Sequence, residues 1–407
     1  MIRQARFLSS FPKIDRLDQG GAGDAVFPLD HLSRGQQPFN DLPGATYVIR
    51  LDGGLFIPGK TFETMDPARH SREKPVPLPQ NYATRRQGAH LILTAEGRLF
   101  SESLMRNQLL DPRVIFTGSD SFDVPDPGPL QKIDEEVVFI DLICAHFGHA
   151  IVDTPARLWY LLDPTLEALR HKRIVAFGSH GVGDWLGGQV RWPGYLNRFL
   201  AALGIDPARI EVLTRPTRIA RAYIPRRLSP LFAGFGYGPR YIATTQAIGQ
   251  GLAPNLPGGA TGPARVYLSR SRLEGDPRQL PDAGEQRIEA VFASLGFAIV
   301  HPETMPLPDQ IALLRGASHV AGCIGSHLHL LAMGARPGVR LFRIAPSYFN
   351  TPVDALILRE LGGHYRPFIV EATIADGVQR HLAGWPMTPE TLTALHRAAS
   401  DWLAETV

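Results

Sequence analysis

The sequence predicts an α/β protein of two parallel-sheet units behind an irregular, β-containing N-terminal segment. Three observations predict it. Ala264–Ala345 alternates strand and helix through four strands: ARVYL, GFAIV, HVAGC and GVRLFRIAP. A similar alternation begins upstream at EEVVFIDLI (Glu135–Ile143). Alternation of this kind implies parallel sheets covered on both faces, which bind ligands at the carboxyl ends of their strands. The chain has 407 residues, more than one ordinary core holds, and suggests two domains of roughly 150–200 residues.

Taken in order, residues 1–45 are rich in Gly, Pro and Asp and read as an irregular lead-in. Thr46–Gly59 reads as a hairpin about Gly53-Gly54, and His90–Phe100 as another about Glu96-Gly97. Met65–Gln80 reads as an exposed loop, and Asp111–Leu130 as turn-rich. Regular α/β structure is expected from about residue 135. The strand there is followed by a helix over Phe147–Leu162, a strand at Arg173–Ser179 and a helix over Trp192–Ile205 that stops at Gly204. Strands at Arg209–Leu213 and Arg218–Arg226 complete this unit. The boundary is expected in the Gly- and Pro-dense stretch Leu228–Pro239 or in the linker Ala253–Ala264, with a helix over roughly Arg240–Leu252 between them. The expected division is an N-terminal domain over 1–235, a C-terminal domain over 240–385 and a final amphipathic helix over 388–407. That helix opens on Thr388 with Glu390 behind it, read as a capping box.

Composition excludes several classes. Hydrophobic content of 44% and charged content of 20% fit a globular protein. No run of about 18 apolar residues exists, so no transmembrane helix is expected. The N-terminus lacks a sustained apolar core, so no signal peptide is expected. Two cysteines make neither a disulfide framework nor a metal cluster, and a reducing cytoplasm is the simplest compartment. A net charge of +3 does not call for nucleic acid. The basic residues are mostly arginines, which either follows overall composition or serves phosphate.

Four groups of residues carry candidate chemistry. Arg270 and Arg272 follow the strand ARVYL and point the same way in extended chain, with Arg265 and Arg278 nearby. Such a permanently charged pair suits a diphosphate, and a solvated loop is the plain alternative. In GCIGSHLH, Gly322 and Gly325 let backbone N–H groups approach an anion, with Ser326 and His327 in contact reach, although many such turns only serve packing. His327 and His329 lie two apart and do not share a helical face, so no zinc site is expected. His149 and Asp153 stack four apart on one helical face, with His146 before them. They suit proton abstraction from a hydroxyl, or a local cap, and no third metal ligand of matching spacing accompanies them. Glu303 and Gln310 flank a strand end, where Glu303 would accept from a sugar hydroxyl or, with Asp309, cap a helix.

In order and spacing these words resemble glycosyltransferase family 61 in its bacterial form. The resemblance covers roughly Val137–Ala345. It rests on His149, Asp153, Pro155, Arg157, Leu158 and Trp159, then Ser269-Arg270, then Glu285, Pro302, Glu303, Met305 and Gln310, and last Gly322, Gly325 and Ser326. Three positions depart: Ile324 stands for an expected histidine, Leu330 for an asparagine, and Gly284 for the asparagine before Glu285. The resemblance implies a GT-B fold, two Rossmann-like domains facing a cleft, with the tail helix crossing back onto the N-terminal domain. It implies an inverting, metal-independent hexosyl- or pentosyltransferase. Asp153 would be the base, with His149 orienting it or serving instead. Arg270, Arg272, Glu303, Gln310, Gly322, Gly325, Ser326 and His327 would hold a nucleotide-diphosphate sugar, expected to be UDP-linked, with no further cofactor and no metal. The acceptor would be a polysaccharide, glycan or lipid-linked hydroxyl in capsule or surface-polymer synthesis. The place of action would be the cytoplasm, or the inner face of the membrane by peripheral attachment. Two alternatives stand beside this: a nucleotide-sugar epimerase on the same fold, and a degenerate sugar- or nucleotide-binding protein, which Ile324 and Leu330 favour.

Overall fold

The computed structural model describes residues 2–6, 48–58, 91–93, 95, 115–116, 121–125, 129–144, 147–179, 194–228, 237–254, 262–273, 280–349, 351–373 and 384–405. The chain divides into two compact units, Met1–Thr244 and Thr245–Val407. The division falls inside a helix, beyond the Gly- and Pro-dense stretch that the sequence marks.

The first unit holds two sheets. β1 (Ile2–Arg6) pairs antiparallel with β5 (Ser121–Pro125), which pairs with β4 (Ile115–Phe116). The larger sheet runs in the order β3-β2-β9-β6-β7-β8. Its members are β2 (Val48–Ile57), β3 (Leu91–Leu93), β6 (Gln131–Cys144), β7 (Arg173–Ser179), β8 (Ile210–Leu213) and β9 (Thr217–Pro225). From β9 to β8 the sheet is parallel, whereas β2 and β3 add an antiparallel edge. Gly53-Gly54 does not turn the chain. β9 pairs with β2 on both sides of the glycines, Asp52↔Arg221 and Gly54↔Ile219, so one strand runs through them. Most of the second predicted hairpin lies outside the described residues, as does the predicted loop at 65–80. The core of this sheet is Phe56, Phe139 and Phe177 with Ile49, Val137, Ile219 and Ile224, all buried.

The predicted helix over Phe147–Leu162 is two pieces. α1 (Phe147–Val152) is α-helical, and Thr154–Leu162 is a 3-10 helix. Pro155 is the reason: it has no N–H for the carbonyl of Ile151, four residues back, so the α-helix stops. α2 (Glu167–Arg170) and α3 (Gly194–Ala202) follow, the latter closing through Gly204 at φ +73°. α4 (Pro239–Leu252) carries the division between the units.

The second unit is one five-stranded parallel sheet, β10 (Arg265–Leu268), β11 (Ala298–Val300), β12 (His319–Cys323), β13 (Arg340–Pro346) and β14 (His364–Val370). Its order is β11-β10-β12-β13-β14, every pair parallel. Its helices are α5 (Gly284–Ser294), α6 (Leu307–Gly316), α7 (Leu331–Gly334), α8 (Val353–Glu360) and α9 (Pro389–Ala404).

The tail helix α9 corrects two expectations. Its apolar face, Leu395, Ala399 and Trp402, is buried in the second unit's own core with Phe292, Phe297 and Phe342, not in the N-terminal domain. Arg340, at the start of β13, donates to the carbonyls of Trp402 and Glu405 and caps the last turn. At its start the cap is one-sided. Thr388 Oγ1 accepts from Thr391 N–H at 3.2 Å, and Glu390 stands one residue too early for a reciprocal box. Its carboxylate accepts from its own N–H and from Thr388.

Candidate functional site

Each unit has a switch point, where consecutive strands lie on opposite sides of the first. In the first unit β7 and β8 lie to one side of β6, and β9 lies to the other. In the second, β11 and β12 flank β10 on opposite sides. Crevices at the carboxyl ends of such strand pairs are where open α/β sheets bind ligands.

At the first switch point, the chain leaving β6 forms α1 and brings His149 Nδ1 to 2.7 Å from Asp153 Oδ2. A carboxylate only accepts, so Nδ1 carries a proton. The Asp153 side chain is 3% exposed and that of His149 26%. The histidine is therefore the outward member of the pair. Asp153 sits where α1 ends, its N–H on His149 O and its carbonyl taking Ala156 N–H. The carbonyl of Ile151, left without a donor by Pro155, accepts from Tyr241 Oη at 3.0 Å. Burial, then the charge of Asp153, keeps the Tyr241 phenol well above its ordinary pKa, so it remains a donor.

The following 3-10 helix is tied to the end of β9. Arg157 Nε donates to Asp141 Oδ2 at 3.0 Å, and its guanidinium also reaches the carbonyl of Pro225. Arg227 pairs with the same carboxylate. Trp159 Nε1 donates to Arg226 O at 2.8 Å and Ala156 O accepts from Leu228 N–H. Pro155, Arg157 and Trp159 are thus scaffold that places the His149–Asp153 pair. His146 lies outside the described residues.

At the second switch point, the loop after β10 and the turn after β12 meet. A Cβ on Gly325 would lie 2.9 Å from His327 Nδ1 and 3.2 Å from Arg270 Nη1. Only glycine lets the backbone pass so close to both side chains. Arg270 Nε is buried and has no hydrogen-bond partner among the described residues. Three successive amides of this loop are occupied. Arg270 N–H faces Glu285 Oε1 at 3.4 Å, Ser271 N–H donates to Ser269 Oγ at 3.0 Å, and Arg272 N–H to Glu303 Oε1 at 3.0 Å. What the loop offers an anion is therefore guanidinium.

Other candidates take different places. One Glu303 oxygen fixes Arg272. Gln310 Nε2 donates to the carbonyls of Pro302 and Met305 and shapes its own loop. Gln310 also lines a pocket with Leu268, Met305, His327 and Leu330. Ser326 and His327 lie in a turn before a 3-10 segment, Leu328–Leu330, rather than in an α-helical first turn. Arg265 is at the opposite end of β10, donating to Leu295 O, and Arg278 lies outside the described residues.

The three departures are apolar or steric in kind. Ile324 is in the core and Leu330 is buried beside the pocket. A Cβ at Gly284 would meet Leu280 Cβ at 2.8 Å, so the asparagine expected there does not fit this loop.

Sequence reasoning missed Tyr241, Glu289 and a second histidine–aspartate pair. His329 Nδ1 lies 2.8 Å from Asp354 Oδ1, and Arg343 Nη1 donates to Asp354 Oδ2 at 3.1 Å. Only the spacing of Glu285 and Glu289, one helical turn apart, was a readable signal. Among the described residues no three His, Cys, Asp or Glu side chains gather as a metal site. No helix among them is long and apolar enough to cross a membrane.

Fold and site together define a two-unit α/β protein with a polar pair at the switch point of one sheet and an arginine loop at the switch point of the other. Residues 147–342 match the family model described as glycosyltransferase 61. The match falls within the span Val137–Ala345 on which the sequence resemblance rests, and it supports a glycosyltransferase. No curated protein matches the chain significantly. Among solved structures, a flavodoxin-like domain from Synechococcus sp is 18% identical, with 34% of this chain and 96% of that chain covered and a TM-score of 0.24. The dodecameric iron-containing heptosyltransferase TibC, in complex with ADP-D-beta-D-heptose, is 11% identical, with 96% and 100% covered and a TM-score of 0.30. At these TM-scores neither likeness carries an argument about this chain.

Proposed function

We propose that the chain is an inverting, metal-independent glycosyltransferase with a GT-B-like division of labour. It takes a sugar from a nucleotide diphosphate, UDP in the first instance, and passes it to a hydroxyl of a glycan, polysaccharide or lipid-linked acceptor. Surface-polymer synthesis in the cytoplasm or at the inner membrane face is the setting we infer. The observation that carries the reading is the meeting of Arg270 with the Gly325–His327 turn at a parallel-sheet switch point.

In this reading the second unit holds the donor. Arg270 and Arg272 neutralise the charge that grows on the departing diphosphate, which is the main electrostatic demand of the reaction. The first unit supplies the base. His149 Nε2 takes the acceptor proton while that oxygen attacks the anomeric carbon and the bond to the diphosphate oxygen breaks. Asp153 holds Nδ1–H and stabilises the imidazolium that forms. The burial of Asp153 favours His149 as the proton acceptor with Asp153 orienting it, the second of the two assignments that the resemblance implies.

Calorimetry of UDP, GDP, CDP and ADP with EDTA present, on wild type and Arg270→Ala, tests the donor site. One diphosphate should bind without metal and lose affinity in the variant. No binding of any of them would sink the reading. Product analysis separates transfer with inversion from epimerisation, which would change the donor sugar with no acceptor added. Donor binding without turnover of any sugar would mark a non-catalytic protein.

A further inference from the structure

The loop that carries Arg270 is held from behind by two acids of α5, and one of them belongs to no motif noted above. Glu289 Oε1 accepts from Ser269 Oγ at 2.5 Å and from Ser271 Oγ at 2.6 Å. These serines flank Arg270. Ser269 Oγ in turn accepts Ser271 N–H at 3.0 Å. One turn earlier on the helix, Glu285 Oε1 accepts from Tyr267 Oη at 2.8 Å and faces Arg270 N–H. Like charges four apart on a helix cost a few tenths of a kcal/mol, and carboxylates beside a diphosphate site repel the ligand. Both penalties are offset here because each carboxylate spends its charge on donors of the loop. α5 itself is anchored by Ile288 and Phe292, which are buried in the core, so Glu289 is not needed to hold the helix.

We propose that Glu289 is a positioning residue that sets the Ser269–Arg270–Ser271 loop so that the Arg270 guanidinium faces a nucleoside diphosphate. The inference rests on the donor-site reading above. Without the carboxylate both serine hydroxyls lose their shared acceptor, and the loop samples conformations in which Arg270 is turned away. Binding then falls by the fraction of time the competent loop is populated.

The test uses the full chain and UDP, or whichever of the four diphosphates binds, with Glu289→Ala, Glu289→Gln, Ser271→Ala and Arg270→Ala. A glutamine carbonyl accepts both hydroxyls, so Glu289→Gln should stay within about twofold of wild type, while Glu289→Ala should weaken binding about tenfold. Donor KM should rise in Glu289→Ala with kcat largely kept, and the thermal midpoint should hold. Adding Ser271→Ala to Glu289→Ala should cost little more, because both break one network. Loss of binding in Arg270→Ala with wild-type binding in Glu289→Ala would overturn the clamp alone. Equal loss in Glu289→Gln and Glu289→Ala would overturn it too, since acceptor geometry would not be the cause. Wild-type binding in Arg270→Ala would instead overturn the donor-site reading on which it stands.

Discussion

Two histidine–aspartate pairs, one in each unit, have nearly the same bond and different surroundings. His149–Asp153 is local, four residues apart, with a 2.7 Å contact and a histidine 26% exposed. His329–Asp354 spans 25 residues at 2.8 Å, with a histidine 13% exposed and an aspartate at 0%. The second carboxylate also carries Arg343, itself 1% exposed, whose guanidinium stacks on Tyr365 and donates to Thr351 O. In the proposed function, the pair that presents its imidazole outward transfers the proton. A pair closed by a buried arginine is placed to hold β13, α8 and the turn after β12 together. On that proposal, what lies beyond the imidazole decides whether the same two side chains serve chemistry or architecture.

The sharpest way to break this contrast is at His149. His149→Ala should lower transfer by about 10²- to 10⁴-fold, the usual worth of a general base. Nucleotide binding should be unchanged. Initial rates at saturating donor measure it, and a variant that keeps wild-type turnover would end the assignment.

At Asp354 the loss should appear as stability. Asp354→Ala leaves Arg343 buried without its carboxylate, which costs about 3–5 kcal/mol. Urea unfolding followed in the second unit reads this, and a midpoint equal to wild type would make the triad ornamental.

The same carboxylate gives the pair a pH signature. Burial pushes the Asp354 pKa up, but His329 and then Arg343 outweigh it and hold it below the ordinary carboxylate value. The folded state therefore binds its proton less readily than the unfolded chain. Stability from this group is complete above about pH 4 and is lost as pH falls through the lower, folded value. Asp354→Asn should flatten that acid limb in denaturation curves taken from pH 6 downward, and an unchanged limb would count against the ion pair.

Tyr241→Phe is the smallest of these changes. It leaves the Ile151 carbonyl buried without a donor, at about 1–3 kcal/mol. Because that carbonyl lies in the turn that places Asp153, turnover should fall along with stability, whereas a pure packing role would touch stability alone.

Much of the molecule was readable from residue order. Apolar runs separated by helices show the strands of both sheets, because a strand covered on both faces is apolar along nearly its whole length. Arg270 after β10 and His149 with Asp153 after β6 were legible because a strand end and a four-residue spacing are local facts. Local patterning also misled. Gly53-Gly54 looks like a turn, yet β9 supplies ladder partners on both sides of the glycines, so one strand continues. The helix at 147–162 looks continuous until Pro155 removes one donor.

Sequence by itself determined the parallel-sheet class, the place of the arginine loop and the local His149–Asp153 pair, since each depends on neighbours a few residues apart. Tertiary structure alone decided that Glu289 grips the serines about Arg270, that Tyr241 closes the gap at Pro155, and that Trp402 packs into the second unit. It also joined His329 to Asp354 and Arg343. Those are contacts between segments many residues apart, and burial makes them strong by excluding the water that would otherwise satisfy each group alone.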